Sequence, residues 1–144
     1  MLSIVESRDT DLPNLRELFL NERRRTFTEQ DISEFELDDF DKQTQGEYIL
    51  TALVNNIPVG FVSIWMPNNF IHHLYVDVKH QGKNLGTELL KAAILKTSFP
   101  ITLKCLTSNI KPVEFYRKKG FTEKSRGNSN NGTYILFELT KEVK

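Results

Sequence analysis

Residues 74–90 constrain the fold more than any other stretch. Leu74-Tyr75-Val76-Asp77-Val78 reads as the end of a strand, and Lys79-His80-Gln81-Gly82-Lys83-Asn84 as a short loop. Leu85, Leu89, Leu90, Ala93 and Ile94 then fall on one helical face. A strand that turns into a helix through a glycine loop is the first half of a crossover unit, so a parallel strand should follow. The loop also aims several backbone N–H groups at one spot, where the positive end of the helix dipole adds to them. Such a spot suits a phosphate or pyrophosphate. Gly82 and Gly86 let a ligand approach the backbone closely, and Lys83 adds a charge. The Walker sequence is absent, because no Lys stands between Gly86 and Thr87, and so is G-x-G-x-x-G.

The remaining elements follow from periodicity. Residues 2–5 form a short apolar strand. Asp11 or Thr10 is expected to cap a helix that starts near Pro13 and carries Leu12, Leu15, Leu18 and Phe19 at helical spacing. Arg23, Arg24 and Arg25 close it, where cations suit the dipole. Residues 28–41 read as a weaker helix or loop. Residues 48–54 and 59–65 make a hairpin around Asn55-Asn56, a pair that tolerates positive φ. Pro67-Asn68-Asn69 turns the chain into a strand over 70–78. Ile101, Leu103 and Cys105 alternate with Thr102 and Lys104 as a strand would. Pro112 opens a short helix that Gly120 ends. Residues 121–123 and 133–139 are the last strands, joined by a polar loop over 126–132. The order is β-α-α-β-β-β-α-β-α-β-β: an α/β chain with a mixed (α+β) sheet, antiparallel in front, with one βαβ crossover.

With 144 residues, the chain is read as a single domain over 1–144. Lys plus Arg and Asp plus Glu are both 19, so no basic excess points to nucleic acid. No run approaches 18 apolar residues, and residues 1–6 lack a signal-peptide pattern. The single cysteine, Cys105, forms no internal disulfide. A cytoplasmic protein with no membrane segment is expected. Three His and one Cys without paired ligand spacing predict no metal site.

A second chemical segment lies downstream. Asn109-Ile110-Lys111-Pro112-Val113-Glu114-Phe115-Tyr116-Arg117-Lys118-Lys119-Gly120-Phe121 spans a strand end, a helix and a strand start. The Tyr116 hydroxyl is suited to give a proton to a leaving thiolate. The plain alternative makes Phe115 and Tyr116 core aromatics.

Together the two segments resemble the GCN5-related N-acetyltransferase (GNAT) superfamily. Its pyrophosphate loop, Gln/Arg-x-x-Gly-x-Gly/Ala, stands here as Gln81-Gly82-Lys83-Asn84-Leu85-Gly86. Its second segment matches Asn109, Phe115, Tyr116, Gly120 and Phe121. The family's middle glycine is Asn84, the non-glycine residue best suited to a left-handed corner. The resemblance implies acetyl-CoA as cosubstrate and transfer of its acetyl group to a primary amine. It implies that backbone groups of Tyr75, Val76 and Val78 pair with the pantetheine arm, and that Gln81, Gly82, Lys83, Asn84, Leu85, Gly86 and Thr87 hold the pyrophosphate. Asn109 is then a further cofactor contact, and Tyr116 contacts the cofactor and serves as general acid. The strands carrying 70–78 and 101–105 should splay apart around the cofactor. Family members are often dimers, which makes a homodimer an expectation of the same kind.

Where family members often carry a basic carboxylate, this chain has Phe70. His72 matches a position where some members use a strand histidine, and His73 is the second choice. The acceptor site is implied to lie beside residues 29–41, which hold seven acids (Glu29, Asp31, Glu34, Glu36, Asp38, Asp39, Asp41) and no base. An acidic rim favours a cationic amine of a small molecule or peptide, whereas Arg23, Arg24 and Arg25 favour an acidic acceptor. Trp65 and Phe70 are candidate apolar walls. Two rival readings stand beside the enzyme: a sensor of the same fold that binds acetyl-CoA without turnover, and a structural protein whose glycine turn binds nothing.

Overall fold

The structure, a computed structural model, describes residues 1–26 and 34–141. Its elements are β1 (Leu2–Glu6), α1 (Leu12–Thr26), α2 (Asp39–Gln43), β2 (Tyr48–Val54), β3 (Ile57–Trp65), β4 (Phe70–Val76), α3 (Leu85–Lys96), β5 (Ile101–Leu106), α4 (Ile110–Lys118), β6 (Thr122–Ser129) and β7 (Gly132–Leu139). This is the expected order. The strands form one sheet, β1-β2-β3-β4-β5-β7-β6. Only β4 and β5 are parallel, and α3 is the crossover between them. The fold is therefore mixed α+β, as read from the element order. No helix among the described residues is long and apolar enough to cross a membrane.

Apolar spacing decides which face each helix covers. Leu85, Leu89 and Leu90 of α3 pack on Leu50, Val62, Ile64 and Ile71, a core that continues through Leu103, Ile135 and Phe137. On the other face, Leu15, Leu18 and Phe19 of α1 and Phe40 of α2 cover Ile49 and Phe61. Phe19 is fully buried there. Its ring meets Phe40, Phe61 and Tyr75 at centroid distances of 6.0, 6.0 and 5.6 Å, all edge-on, the preferred aromatic geometry.

Three local expectations are corrected. Neither Thr10 nor Asp11 caps α1. Residues Asp9–Asp11 form a 3₁₀ turn, and the Asp11 carboxylate folds back to accept from the Arg8 backbone N–H at 3.2 Å and from Arg8 Nη2 at 2.9 Å. The nearby guanidinium offered that carboxylate a stronger partner than the helix amides. The short helix carrying Tyr116 begins at Ile110, two residues before Pro112. The polar loop over 126–132 is mostly strand: β6 reaches Ser129 and pairs with β7 down to Ser129↔Gly132. As an edge strand exposed along nearly all its length, β6 has no apolar alternation to betray it. Glu29 and Asp31 of the acidic run lie outside the described residues.

Among the described residues, four non-glycine residues have left-handed φ, and all are asparagines: Asn55 (52°) and Asn56 (66°) in the β2–β3 turn, Asn69 (50°) before β4, and Asn84 (63°) before α3. Asparagine tolerates this conformation because its short polar side chain bonds locally. Asn84→Val should therefore destabilise the protein by about 2 kcal/mol, whereas Asn84→Gly should stay within about 1 kcal/mol of the parent, as read by urea denaturation.

His73 sits edge-on to Phe19 at 4.8 Å. Burial, followed by the charges of His72 and Arg23, pushes its pKa down to about 3. An unfolded histidine titrates near 6.5, so the unfolded chain binds the extra proton first. Stability due to His73 is thus intact above about pH 6.5 and is lost as pH falls towards 3. A pH series of melting temperatures should show this acid slope, and His73→Phe should flatten it.

Candidate active site

The site is built on a defect in the sheet. β4 and β5 pair only through Phe70↔Thr102 and Ile71↔Leu103. Beyond Ile71 they part, and residues 71–76 on one side and 103–106 on the other line a cavity of about 520 Å³. A second cavity of about 740 Å³ continues from it to the glycine loop. Leu74, Val76, Gln81, Asn109 and Tyr116 line both, so the two form one cleft through the splayed strands. The expected splay is observed.

At the outer end, Asn84 turns the chain into α3, and its carbonyl accepts the Glu88 N–H at 3.0 Å. The amides of Leu85, Gly86 and Thr87 precede the first intrahelical donor and lack helical acceptors by construction. Gly82, Asn84, Leu85, Gly86 and Thr87 line the cavity. A Cβ at Gly82 would meet nothing within 4 Å, and one at Gly86 would meet the Phe115 ring at 3.7 Å. The loop is open to an anion on its cavity side. Lys83 is exposed and is not a lining residue.

The cleft floor comes from α4. Asn109 caps this helix without a side-chain capping bond, which leaves its amide to the cavity. Tyr116 is 8% exposed, and its ring packs on Phe115, Phe121 and Phe137. Tyr116 is therefore a core aromatic, as the plain alternative has it, and it also lines the cleft. Burial, with Cys105 and Tyr75 nearby, raises its pKa above the ordinary tyrosine value, so the phenol keeps its proton at neutral pH. Burial likewise raises the Tyr75 hydroxyl to about 12 and the Cys105 thiol to about 11.

On the α1 side of the cleft, β4 carries one extra residue. Ser63 pairs with His73 and Ile64 with Ile71, so His72 has no partner in β3. Successive strand residues normally point to opposite faces; a bulge re-aims one of them. Here His72 and His73 stack, with ring centroids 3.8 Å apart and planes 28° apart. Both line the cleft. Phe70 lies 6.2 Å from His72 by ring centroid and pairs in register with Trp65, which is 39% exposed.

Two acids missed at the sequence level complete the site. Glu47, just before β2, places Oε2 2.7 Å from His72 Nδ1. Glu22 of α1 is nearly buried, accepts the Val78 N–H at 3.3 Å and the Gln81 side-chain amide at 3.4 Å, and pairs with Arg25 Nε at 3.3 Å. Gln81 also donates to the Val76 carbonyl at 2.9 Å. Glu22 was findable: it follows Leu15 by seven residues on the buried stripe of α1, where a charge is out of place. Nothing around Glu47 in the sequence sets it apart.

Among the described residues, three acids of the run form ion pairs within the chain. Asp39 holds Arg23 at 2.9 Å, Asp41 holds Arg16 at 2.8 Å, and Asp38 holds Lys42 at 3.4 Å. Arg23 in turn covers the Phe19 ring at 4.2 Å. Arg23 also lines the cleft.

Comparison with known proteins agrees with this architecture. Among solved structures, the fold is similar to a GCN5-related N-acetyltransferase from Rhodopseudomonas palustris (TM-score 0.76, 22% identity, 96% of this chain and 95% of that one). It is similar to the PaiA N-acetyltransferase of Thermoplasma acidophilum, solved with coenzyme A (TM-score 0.77, 18% identity, 98% and 99%). It is also similar to the ribosomal-protein-S18-alanine N-acetyltransferase of Escherichia coli (TM-score 0.74, 18% identity, 100% and 96%). No curated protein sequence matches the chain. The family model described as "Acetyltransferase (GNAT) domain" matches residues 17–137, nearly the whole sheet with its helices, and the chain therefore belongs to the GNAT acetyltransferase family.

Proposed function

We propose that this protein is an acetyl-CoA-dependent N-acetyltransferase that acylates a primary amine by direct attack in a ternary complex. One observation carries the reading: a single cleft runs from the open glycine loop, between the splayed strands, to Tyr116 and His72.

The residues present fit acetyl-CoA. Gly82 lines the cavity, a Cβ built on it would meet nothing within 4 Å, and the first amides of α3 suit a pyrophosphate. Gln81, Gly82, Lys83, Asn84, Leu85, Gly86 and Thr87 would hold that group, Lys83 by long-range charge from the surface. Backbone groups of Tyr75, Val76 and Val78, together with the Asn109 amide, would orient the pantetheine arm. For this the Glu22 and Gln81 side chains must release Val78 and Val76. When bound, acetyl-CoA supplies an acetyl group activated as a thioester.

The chain's own groups then manage two protons. An ammonium cannot attack, so His72 takes its proton directly or through a water, and the free amine becomes the nucleophile. His73, held neutral by burial, adds no charge beside the protonated His72 ring. Tyr116 retains its proton at neutral pH and can give it to the departing sulfur. Holding both reactants in one cleft contributes as much as either proton transfer. The acceptor is a primary amine of a small molecule or a protein. The S18-alanine acetyltransferase, which shares the fold, supports the peptide alternative.

Saturating acetyl-CoA at about 100 times its Kd should add roughly 2.7 kcal/mol and raise Tm by several degrees, while ATP should not. No shift would sink the reading. A shift without transfer to any amine in a broad panel would favour the sensor. Tyr116→Phe should lower kcat by about 10²-fold with acetyl-CoA affinity nearly unchanged. The pH–rate profile of the parent enzyme should show no alkaline loss below about pH 10, because the folded phenol titrates above the ordinary tyrosine value.

A further inference from the structure

Glu47 is not a cleft-lining residue, whereas His72 is. Its side chain is 7% exposed and that of His72 is 37% exposed. The contact between Glu47 Oε2 and His72 Nδ1 is 2.7 Å, a strong hydrogen-bond length. A carboxylate brings no proton to such a bond, so Nδ1 must carry it and donate. The lone pair of the neutral ring then sits on Nε2. Glu47 Oε1 is buried with no hydrogen-bond partner, so the carboxylate's one side-chain bond is to this ring.

The cluster invites a metal reading, because Glu47, His72 and His73 bring three donor atoms within 4.8 Å of one another. The Glu47–His72 distance argues against it. Oε2 and Nδ1 stand 2.7 Å apart, a direct hydrogen bond, whereas two ligand atoms about 2.1 Å from one tetrahedral ion stand roughly 3.4 Å apart. The arrangement suits one proton held on one ring.

We propose that Glu47 is a positioning residue for His72: it fixes the tautomer that leaves Nε2 free in the cleft, and it stabilises the ring once Nε2 takes the acceptor's proton. The proton moves from the ammonium nitrogen to Nε2, Nδ1 keeps its own, and Glu47 stays ionised throughout. The inference rests on the reading of His72 as the base. The bulge and the acid serve together: the extra residue in β4 turns His72 towards the cleft, and Glu47 holds the ring there.

Two measurements test this. The first needs no acceptor. Nitrogen NMR of the His72 ring, at a pH where it is neutral, should show the Nδ1–H form in the parent and a shift towards Nε2–H in Glu47→Ala. Thermal melts of the same samples confirm folding. An unchanged tautomer in a folded variant would overturn the proposal. The second is a double-mutant cycle on the amine that the enzyme accepts. Glu47→Gln should lower kcat about tenfold or more with KM for acetyl-CoA unchanged, and should cost nothing further in a His72→Ala background. An equal loss in both backgrounds would place the role of Glu47 elsewhere. If His72→Ala leaves kcat intact, the dyad falls, whereas acetyl-CoA binding, read by the melt, stands or falls separately.

Discussion

The separation of β4 from β5 after two residue pairs governs everything else in this protein. A parallel pair normally continues along both strands, each residue satisfying its neighbour's backbone. Here the pairing stops at Ile71↔Leu103, and the next residue, His72, is the unpaired bulge. The strand thus leaves its partner and re-aims a side chain at the same step. The unpaired backbone beyond that point faces a cleft instead of a neighbouring strand. α3 packs across β2, β3 and β4 and closes one face of the region; α1 closes the other.

The two helical layers divide the labour. The α3 face is a continuous, mainly aliphatic core with an aromatic end at Tyr116, Phe121 and Phe137. The α1 face is aromatic and partly charged: Phe19, Phe40 and Phe61 interlock, Arg23 caps Phe19, and Glu22 reaches the Val78 amide. Burying Glu22 and Arg23 is costly unless they are partnered: Glu22 meets Val78, Gln81 and Arg25, and Arg23 meets Asp39 through Nη2 and two rings through its guanidinium face, while its Nε stays unpartnered. The acids of residues 38–41 are therefore as much a part of the scaffold as the apolar side chains.

Much of this was legible in the sequence. The glycine loop between a strand and an amphipathic helix carried the parallel crossover, and the element order followed from periodicity and paired asparagines. Tyr116 was placed on the helix that is α4 and Asn109 just before it, and both line the cleft. What escaped the sequence has common physical causes. The extent of β6 was hidden because an edge strand exposed on both faces needs no alternation. The capping of α1 was misread because Asp11 had a guanidinium three residues away. The pairing of the acids with Arg16, Arg23 and Lys42 depends on how α2 meets α1, which local pattern does not encode. Glu47 is distant from His72 in sequence and is joined to it only through the β2–β3–β4 register and a bulge.

The two-pair junction between β4 and β5 also has a mechanical side. Strands β1 to β4 and strands β5 to β7 are two half-sheets, stitched at one end and open at the other. A molecule lodged between them would touch both halves at once and bridge the seam that the strand pairing leaves open. Binding in the cleft and mechanical coupling of the two half-sheets would then go together.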